Sequence, residues 1–115
     1  METPSAPRPA AIVIPFSRAE IEAKVERETI KAFGFEHVEP MKNIIKRESN
    51  FNPKAQNSKS SAFGMFQFLD STWASYGCKK TESVSEQIGC GIKYISKRYG
   101  NPQKAWNYWK ENNYY

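Results

Sequence analysis

The sequence predicts one all-α domain of about five helices. Apolar residues recur at helical spacing in four stretches, and capping residues, glycine or proline bound each stretch. With 115 residues, of which 39% are hydrophobic and 14% aromatic, the chain is large enough for one buried core. We expect residues 1–16 to be a flexible or extended N-terminal segment and residues 17–115 to form the domain.

The first predicted helix begins near Ser17. Before it, Ala10–Ile14 is the longest apolar run, and it is too short to cross a bilayer. We therefore expect no membrane span, and we expect this run to dock as an extended tail. Ser17 and Glu20 have the spacing of a capping box, and Gly34 supplies a stop. The predicted apolar stripe of this helix consists of Ile21, Val25, Ala32 and Phe33.

A second helix, a loop and a short helix follow. Pro40 suits the first position of a helix. Residues 51–68 are rich in Asn, Ser, Lys and Gly, which indicates a structured loop. Asp70 or Ser71 is predicted to cap a short helix that Gly77 ends.

The last two predicted helices have clear start signals. Ser83 and Glu86 form a second capping box, and Gly100 ends the helix that follows. Asn101 and Pro102 start the final helix. We expect the tail, residues 112–115, to be frayed. The apolar positions of the first of these helices are Ile88, Ile92, Ile95 and Tyr99. Those of the final helix are Ala105, Trp106 and Trp109.

The charge of the chain restricts its partners. The net charge of +5 suits an anionic partner, but the basic residues are spread along the sequence in doublets at most. No nucleic-acid module signature is present, so a nucleic-acid partner rests on charge alone and is not expected. Solvated surface explains most of the lysines.

The titratable residues favour carboxylate chemistry. His37 is the single histidine, so a Ser-His-Asp or Cys-His mechanism would have to use it, and no nucleophile motif lies nearby. One histidine and two cysteines are too few for a zinc site at a recognised spacing, so we expect no metal and no cofactor. The acidic residues are eleven glutamates and one aspartate, Asp70.

Glu48 stands at an unusual position for a glutamate. It completes an apolar helix face that is made by positions 41, 44 and 45. Desolvation there would raise its pKa, as a general acid requires. The alternative is a glutamate that faces water or pairs with Lys46 or Arg47.

The neighbouring motifs favour the catalytic interpretation. Glu48 opens the sequence ESNFNPKA, and GMFQF begins sixteen residues later, at Gly64. Tyr94-Ile95 and Ala105-Trp106-Asn107 follow in the last two helices. In order, these resemble the E-S-x-x-N-P-x-A, G-L-M-Q, Y-L and A-Y-N motifs of the bacterial lytic transglycosylases of the soluble-lytic-transglycosylase type.

The resemblance spans residues 40–109 and implies a lysozyme-like fold with a groove for peptidoglycan glycan strands. It implies that Glu48 is the one catalytic acid and base. In the family, this residue protonates the oxygen between N-acetylmuramic acid and N-acetylglucosamine. It then takes the proton of the muramoyl C6 hydroxyl, which attacks C1 and leaves a 1,6-anhydro end.

The resemblance also implies several substrate-binding residues. Gln67 corresponds to a groove-facing glutamine, and Ser58 lies near a substrate-contacting serine in a loop that is one residue longer. Phe66, together with Phe63, is predicted to line the groove. Tyr94 and Asn107 are further candidates for substrate binding. Ser49 and Asn52 are candidates for structural support of the site.

Trp106 departs from the family pattern, because it replaces a tyrosine whose hydroxyl holds the acid. Tyr94 or Tyr108 could supply that hydroxyl instead. Because of this departure, a wall-binding or assembly module with little cleavage activity remains an alternative function. A lysozyme-type hydrolase on the same fold, with water activated by Glu48 or another glutamate, is the other alternative. A hydrolase with two carboxylates would want the second one about 5 to 9.5 Å from the first, and another glutamate could serve. Asp70, the one aspartate, is predicted to be a helix cap.

Cys78 and Cys90 are predicted to form a disulfide. The bond would close a loop of about thirteen residues and contribute about 3 kcal/mol. The alternative is two reduced thiols in a cytosolic protein. The even cysteine count and the wall-directed interpretation favour the bond.

The resemblance places the protein outside the cytoplasm, in the periplasm, the cell wall or a virion. Its partners would be peptidoglycan strands and, for a wall-crossing context, a phage particle or a secretion or conjugation machine. We expect a monomer.

Overall fold

The computed structural model describes residues 16–115. Their five α-helices are α1 (Arg18–Phe33), α2 (Val38–Ser49), α3 (Asp70–Ser75), α4 (Val84–Arg98) and α5 (Pro102–Asn112). A 3-10 turn, Phe35–His37, joins α1 to α2, and the described part of the chain contains isolated bridges but no β-strand. The predicted all-α class is therefore confirmed. The predicted docking of Ala10–Ile14 lies outside the described residues.

The ends of α1 are those that the sequence predicts. Ser17 Oγ accepts a hydrogen bond from the Glu20 N–H at 3.2 Å, and Glu20 Oε1 accepts one from the Ser17 N–H at 2.8 Å. Gly34 caps the other end at φ 106°, a conformation that glycine adopts readily. The predicted stripe is partly wrong: Ala32 is exposed, because the buried face repeats every four residues. This face consists of Ile21, Val25 and Thr29.

α2 begins two residues earlier than the sequence predicts, at Val38. Pro40 lies in the first turn, where its missing N–H costs no helical hydrogen bond. The helix packs against both α1 and α5, so its inner face is fully enclosed. Asn50 ends it in the left-handed conformation, at φ 55°. The residues of that inner face, each at most 1% exposed, are Met41, Ile44 and Ile45.

A buried glutamine of α4, Gln87, holds the loop between α2 and α3. Its Nε2 donates to the carbonyl oxygens of Pro53 and Thr81, each at 2.8 Å. Its Oε1 accepts from the Met65 N–H at 2.9 Å. A Cβ at Gly64 would lie 3.0 Å from this amide, and Gly64 has a φ of 89°, so the position suits glycine. The loop is thereby fixed beside the end of α2.

The predicted cap of α3 by Asp70 or Ser71 is wrong. Leu69 is the N-cap and makes no side-chain capping bond, since the extended backbone ends one residue earlier than predicted. Asp70 is the first helical residue, and its carboxylate pairs with Lys80 Nζ at 3.0 Å. The free Asp70 N–H donates instead to Ser61 Oγ, at 3.0 Å.

The last two helices start at the predicted residues. Ser83 Oγ accepts from the Glu86 N–H at 3.3 Å at the start of α4. Asn101 Oδ1 accepts from the Lys104 N–H at 2.9 Å, and Pro102 takes the first position of α5.

The predicted disulfide between Cys78 and Cys90 is present, with the two Cα atoms 6.1 Å apart. It ties the segment after α3 to the middle of α4. None of the helices within residues 16–115 combines the length and the apolar character that a membrane crossing needs.

The C-terminal tail is packed against the domain, contrary to the predicted fraying. Asn113 adopts the left-handed conformation after α5, at φ 63°. The Tyr115 ring then lies 5.3 Å from that of Tyr94, and its hydroxyl donates to the Phe66 carbonyl oxygen at 3.1 Å. Sequence patterns at a helix end do not register such long-range contacts, which are what order this tail.

Candidate active site

Glu48 lies in the last turn of α2, where the enclosed face of the helix opens into a small cavity. The cavity has a volume of about 230 Å³. The Glu48 side chain is half-buried, and it is the one carboxylate among the described residues that line the cavity. The lining residues are Glu48, Gln67, Phe68, Leu69, Thr72, Tyr94, Tyr114 and Tyr115.

The Glu48 carboxyl has one direct hydrogen-bond donor, the indole of Trp109. Trp109 Nε1 donates to Glu48 Oε2 at 2.6 Å. Burial raises the pKa of the Glu48 carboxyl above its ordinary value, and the hydrogen bond from Trp109 opposes this shift in part. The carboxyl is therefore held in one orientation and biased towards its protonated form.

The hydroxyl expected from Tyr94 or Tyr108 is replaced by this indole. Tyr94 lines the cavity and is 6% exposed, with its ring 4.7 Å from that of Phe68. Burial raises the pKa of the Tyr94 hydroxyl, which stays protonated. Tyr108 directs its hydroxyl to that of Tyr114, at 3.3 Å.

Gln67 lies in the same cavity as Glu48. Its Nε2 donates to the carbonyl oxygens of Ala55 and Gly64, at 3.0 and 2.9 Å. These two bonds use both amide protons, which leaves Oε1 as an acceptor. Gln67 itself has a φ of 56°, so the loop turns sharply at this side chain. An acceptor held in this way could receive a hydrogen bond from a sugar hydroxyl.

Phe66 is a core residue, contrary to the prediction that it lines the groove. It is 2% exposed, and its ring fills the space above Gly91, where a Cβ would come within 2.3 Å of it. Because the ring is enclosed, a substrate would not reach it. Phe63 lies apart from the cavity, with Lys80 Nζ 5.4 Å from its ring centroid.

Ser58 and Asn107, which are predicted to bind substrate, lie outside the cavity that contains Glu48. Ser58 is exposed in the loop and is not among the residues that line the cavity. Asn107 is exposed on α5, and its Oδ1 accepts from Gln103 Nε2 at 2.9 Å, one helical turn away. The motif positions therefore do not bring these two side chains to the acid in this structure.

Ser49 and Asn52 hold the backbone on either side of the end of α2. Ser49 Oγ lies 2.8 Å from the Met65 carbonyl oxygen and 3.3 Å from that of Ile45. Its single proton joins the helix to the loop that carries Gln67. Asn52 Oδ1 accepts from the Lys54 N–H at 2.9 Å, which makes a turn around the intervening proline.

Sequence reasoning missed six residues of this site: Trp109, which bonds to Glu48, and five that line the cavity, namely Phe68, Leu69, Thr72, Tyr114 and Tyr115. Trp109 was recognised as apolar and helical, but its donor role depends on how α5 crosses α2. Its spacing of three from Trp106 was the available signal, since it puts both indoles on one helix face. Tyr114 and Tyr115 were expected to be frayed, and no local signal indicated their packing.

A larger cavity lies elsewhere, near the start of α1 and the end of α2, with a volume of about 750 Å³. Its one carboxylate, Glu82, is exposed and lies 3.9 Å from Lys54 Nζ, so it lacks the desolvation of Glu48. No group of three or more His, Cys, Asp or Glu residues within residues 16–115 has the arrangement of a metal site. The half-buried carboxyl of Glu48 therefore makes the smaller cavity the candidate active site.

Comparison with protein families identifies residues 27–110, most of the chain, as a transglycosylase SLT domain. Neither the curated proteins nor the solved structures provide a match to the chain. The matched segment contains Glu48, Gln67 and Trp109. The chain therefore belongs to the transglycosylase SLT domain family, whose lysozyme-like members are lytic transglycosylases that act on peptidoglycan.

Proposed function

We propose that the protein cleaves the β-1,4 bond between N-acetylmuramic acid and N-acetylglucosamine, with Glu48 as the sole acid and base and a 1,6-anhydro end as the product. The observation that carries the proposal is the isolation of Glu48. It is half-buried, it is held by an indole, and no second acidic side chain from residues 16–115 lines its cavity. One carboxyl can serve both steps when the nucleophile belongs to the substrate, because no second carboxylate is then needed to form a covalent intermediate or to activate water.

In the first step, protonated Glu48 gives its proton to the glycosidic oxygen as the bond to C1 of the muramoyl sugar breaks. The N-acetylglucosamine leaves with that proton as a new hydroxyl. In the second step, the Glu48 carboxylate takes the proton of the C6 hydroxyl, and the C6 oxygen bonds to C1. The acid is thereby restored, and no water is consumed.

Trp109 has a defined part in this cycle. Its N–H donates to Oε2, so the transferable proton belongs on Oε1, the other oxygen of Glu48. After the first step, the same N–H stabilises the carboxylate. Burial and the hydrogen bond act in opposite directions on the pKa, so the group can both release and regain a proton.

A hydrolase on the same fold is less well supported. Asp70, the sole aspartate, pairs with Lys80 and does not line the cavity. A wall-binding module with slow turnover is the second candidate, and the size of the cavity favours it. Tyr114 and Tyr115 line the space beside Glu48 and leave about 230 Å³, so a glycan would displace part of the tail to reach the acid.

Mass spectrometry of the products from purified peptidoglycan tests the proposal. Anhydro ends are lighter than reducing ends by one water, and the proposal predicts anhydro ends alone. Reducing ends would establish the hydrolase, and binding without products would establish the wall-binding module. The Glu48→Gln variant is the control for a contaminating enzyme.

The substrate also indicates where the protein works. Peptidoglycan lies outside the cytoplasm, so action on it is extracytoplasmic. We further propose that the domain acts as a monomer within a wall-crossing assembly, such as a phage particle or a secretion or conjugation machine.

A further inference from the structure

A second cleft lies beside the end of α2, next to the Glu48 cavity but lined by different residues. Its volume is about 630 Å³. Its charged lining residues, Lys46 and Arg47, are both cations, and no carboxylate lines it. The complete lining consists of Asn43, Lys46, Arg47, Asn50 and Trp106.

Two stacked indoles separate this cleft from the acid. The rings of Trp106 and Trp109 lie 5.5 Å apart and are inclined by 23°. The Arg47 guanidinium lies 5.7 Å from the centroid of the Trp109 ring, while Trp109 donates to Glu48. Lys110 Nζ lies 5.8 Å from the Trp106 ring and adds a third positive charge. The Arg47 guanidinium is thus about one aromatic layer away from the reacting carboxyl.

These cations are not neutralised by the rest of the described domain. Within residues 16–115, none of the ion pairs includes Lys46, Arg47 or Lys110. The basic residues that do pair lie elsewhere: Arg18, Lys31, Lys42, Lys54 and Lys80. Among residues 16–115, the positive charge of the cleft is therefore left available to an anion.

We propose that this cleft binds the carboxylates of a peptidoglycan stem peptide while the Glu48 cavity holds the glycan; this inference rests on the function proposed above. The sugar that is attacked at C1 is the one that carries the peptide, so a stem must leave the glycan close to the acid. Its free carboxylates match the cations, and the amides of Asn43 and Asn50 suit its peptide groups. The protein would therefore prefer strands that carry acidic stems.

Three forms of one glycan preparation test this preference: strands with native stems, strands whose stem carboxylates have been amidated, and strands stripped of stems by an amidase. The measured quantity is the ratio of cleavage rates for native over amidated and native over stripped strands. We expect Arg47→Gln and Lys46→Gln each to lower both ratios by about 3-fold, since an exposed charge pair contributes about 0.2–1 kcal/mol. Added salt should lower them as well.

Lys97→Gln is the matched control, because it removes the same charge from an exposed lysine of α4 that does not line the cleft. It should leave both ratios at the wild-type value. Equal rates on native and amidated strands by the wild type would overturn the proposal. An equal loss of the preference in Lys97→Gln would also overturn the proposal, because it would show that the preference depends only on the net charge of the protein.

Binding separates this inference from the catalytic proposal. In a Glu48→Gln background, cosedimentation with the three preparations should rank native stems first, and Arg47→Gln combined with Lys46→Gln should abolish that ranking. A synthetic stem tripeptide with free carboxylates should shift the Trp106 indole N–H signal in an NMR titration and leave that of Trp73 in place. A ranking that persists without Arg47 and Lys46, or an unshifted Trp106, would refute the cleft even if cleavage is confirmed.

Discussion

Trp109 Nε1 lies 2.6 Å from Glu48 Oε2, across 61 residues of sequence. The contact joins the last turn of α2 to α5, the pair of helices that pack together at the centre of the domain. It gives a half-buried acid a neutral hydrogen-bond donor, so the carboxyl is oriented without a cationic donor that would hold it ionised.

Glu48→Gln should abolish cleavage of peptidoglycan while the fold and the binding of glycan are retained. The amide is nearly the same size, but it cannot give and regain a proton. Rates on purified peptidoglycan, circular dichroism and cosedimentation check the three statements. Substantial activity, with deamidation excluded by mass, would remove Glu48 from the mechanism.

The same variant should change stability in a pH-dependent way. Because the pKa of Glu48 is raised in the folded state, the native protein holds this proton more tightly than the unfolded chain, and stability falls as the pH rises through the folded pKa. Glu48→Gln should therefore melt at a higher temperature than the wild type at pH 8 and at nearly the same temperature at pH 4. An equal difference at both pH values would contradict the raised pKa.

Trp109→Phe should lower the rate about 10-fold or more and move the alkaline limb of the pH–rate profile to higher pH. The phenyl ring keeps the packing but lacks the N–H, and a hydrogen bond to a charged group is worth about 1.5–3 kcal/mol. Losing a bond that favours the ionised form raises the pKa of Glu48. The wild-type rate itself should be greatest at mildly acidic to neutral pH and fall above it.

Trp106→Phe is the matched control for the indole, since Trp106 stacks on Trp109 without bonding to Glu48. It should leave the alkaline limb in place. If the alkaline limb of the pH–rate profile is also unshifted in Trp109→Phe, this would argue against Glu48 as a general acid. A wild-type rate that still increases above pH 9 would argue against it as well.

Reduction of the Cys78–Cys90 bond should lower the melting temperature by roughly 12–24 °C and affect catalysis less. Closing a loop of this length contributes about 3 kcal/mol, and 1 kcal/mol moves the melting temperature of a domain of this size by about 4–8 °C. The melting temperature measured with and without reductant, together with a thiol titration of the same sample, tests this prediction. Two free thiols before reduction, or an unchanged melt, would count against a structural bond.

Tyr115→Ala should destabilise the domain by about 2 kcal/mol or more, because the ring packs against the rings of Phe68, Tyr94 and Tyr99. Tyr115→Phe should cost about 1 kcal/mol, the bond to the Phe66 carbonyl oxygen. Denaturant melts measure both. Tyr114→Ala is the control, since Tyr114 is 55% exposed and should change stability little. Similar losses in Tyr114→Ala and Tyr115→Ala would mean that the tail is not specifically docked.

The sequence by itself determined the helices and the position of the acid. Capping residues such as Ser17 and Asn101 act on the backbone within three residues, so their effect is local and can be read directly. The apolar face that ends in Glu48 follows from helical spacing alone, and burial of that face accounts for the direction of its pKa shift. The disulfide partners were fixed once there were only two cysteines.

Tertiary structure alone decided the surroundings of Glu48. Three contacts join residues that are far apart in sequence: Trp109 with Glu48, Gln87 with the loop at Met65, and Tyr115 with Phe66. Such contacts depend on how the helices cross rather than on local sequence pattern. The burial of Phe66 and the exposure of Asn107 have the same origin. A motif fixes which residues are present, but packing against other elements determines which of them face the cavity.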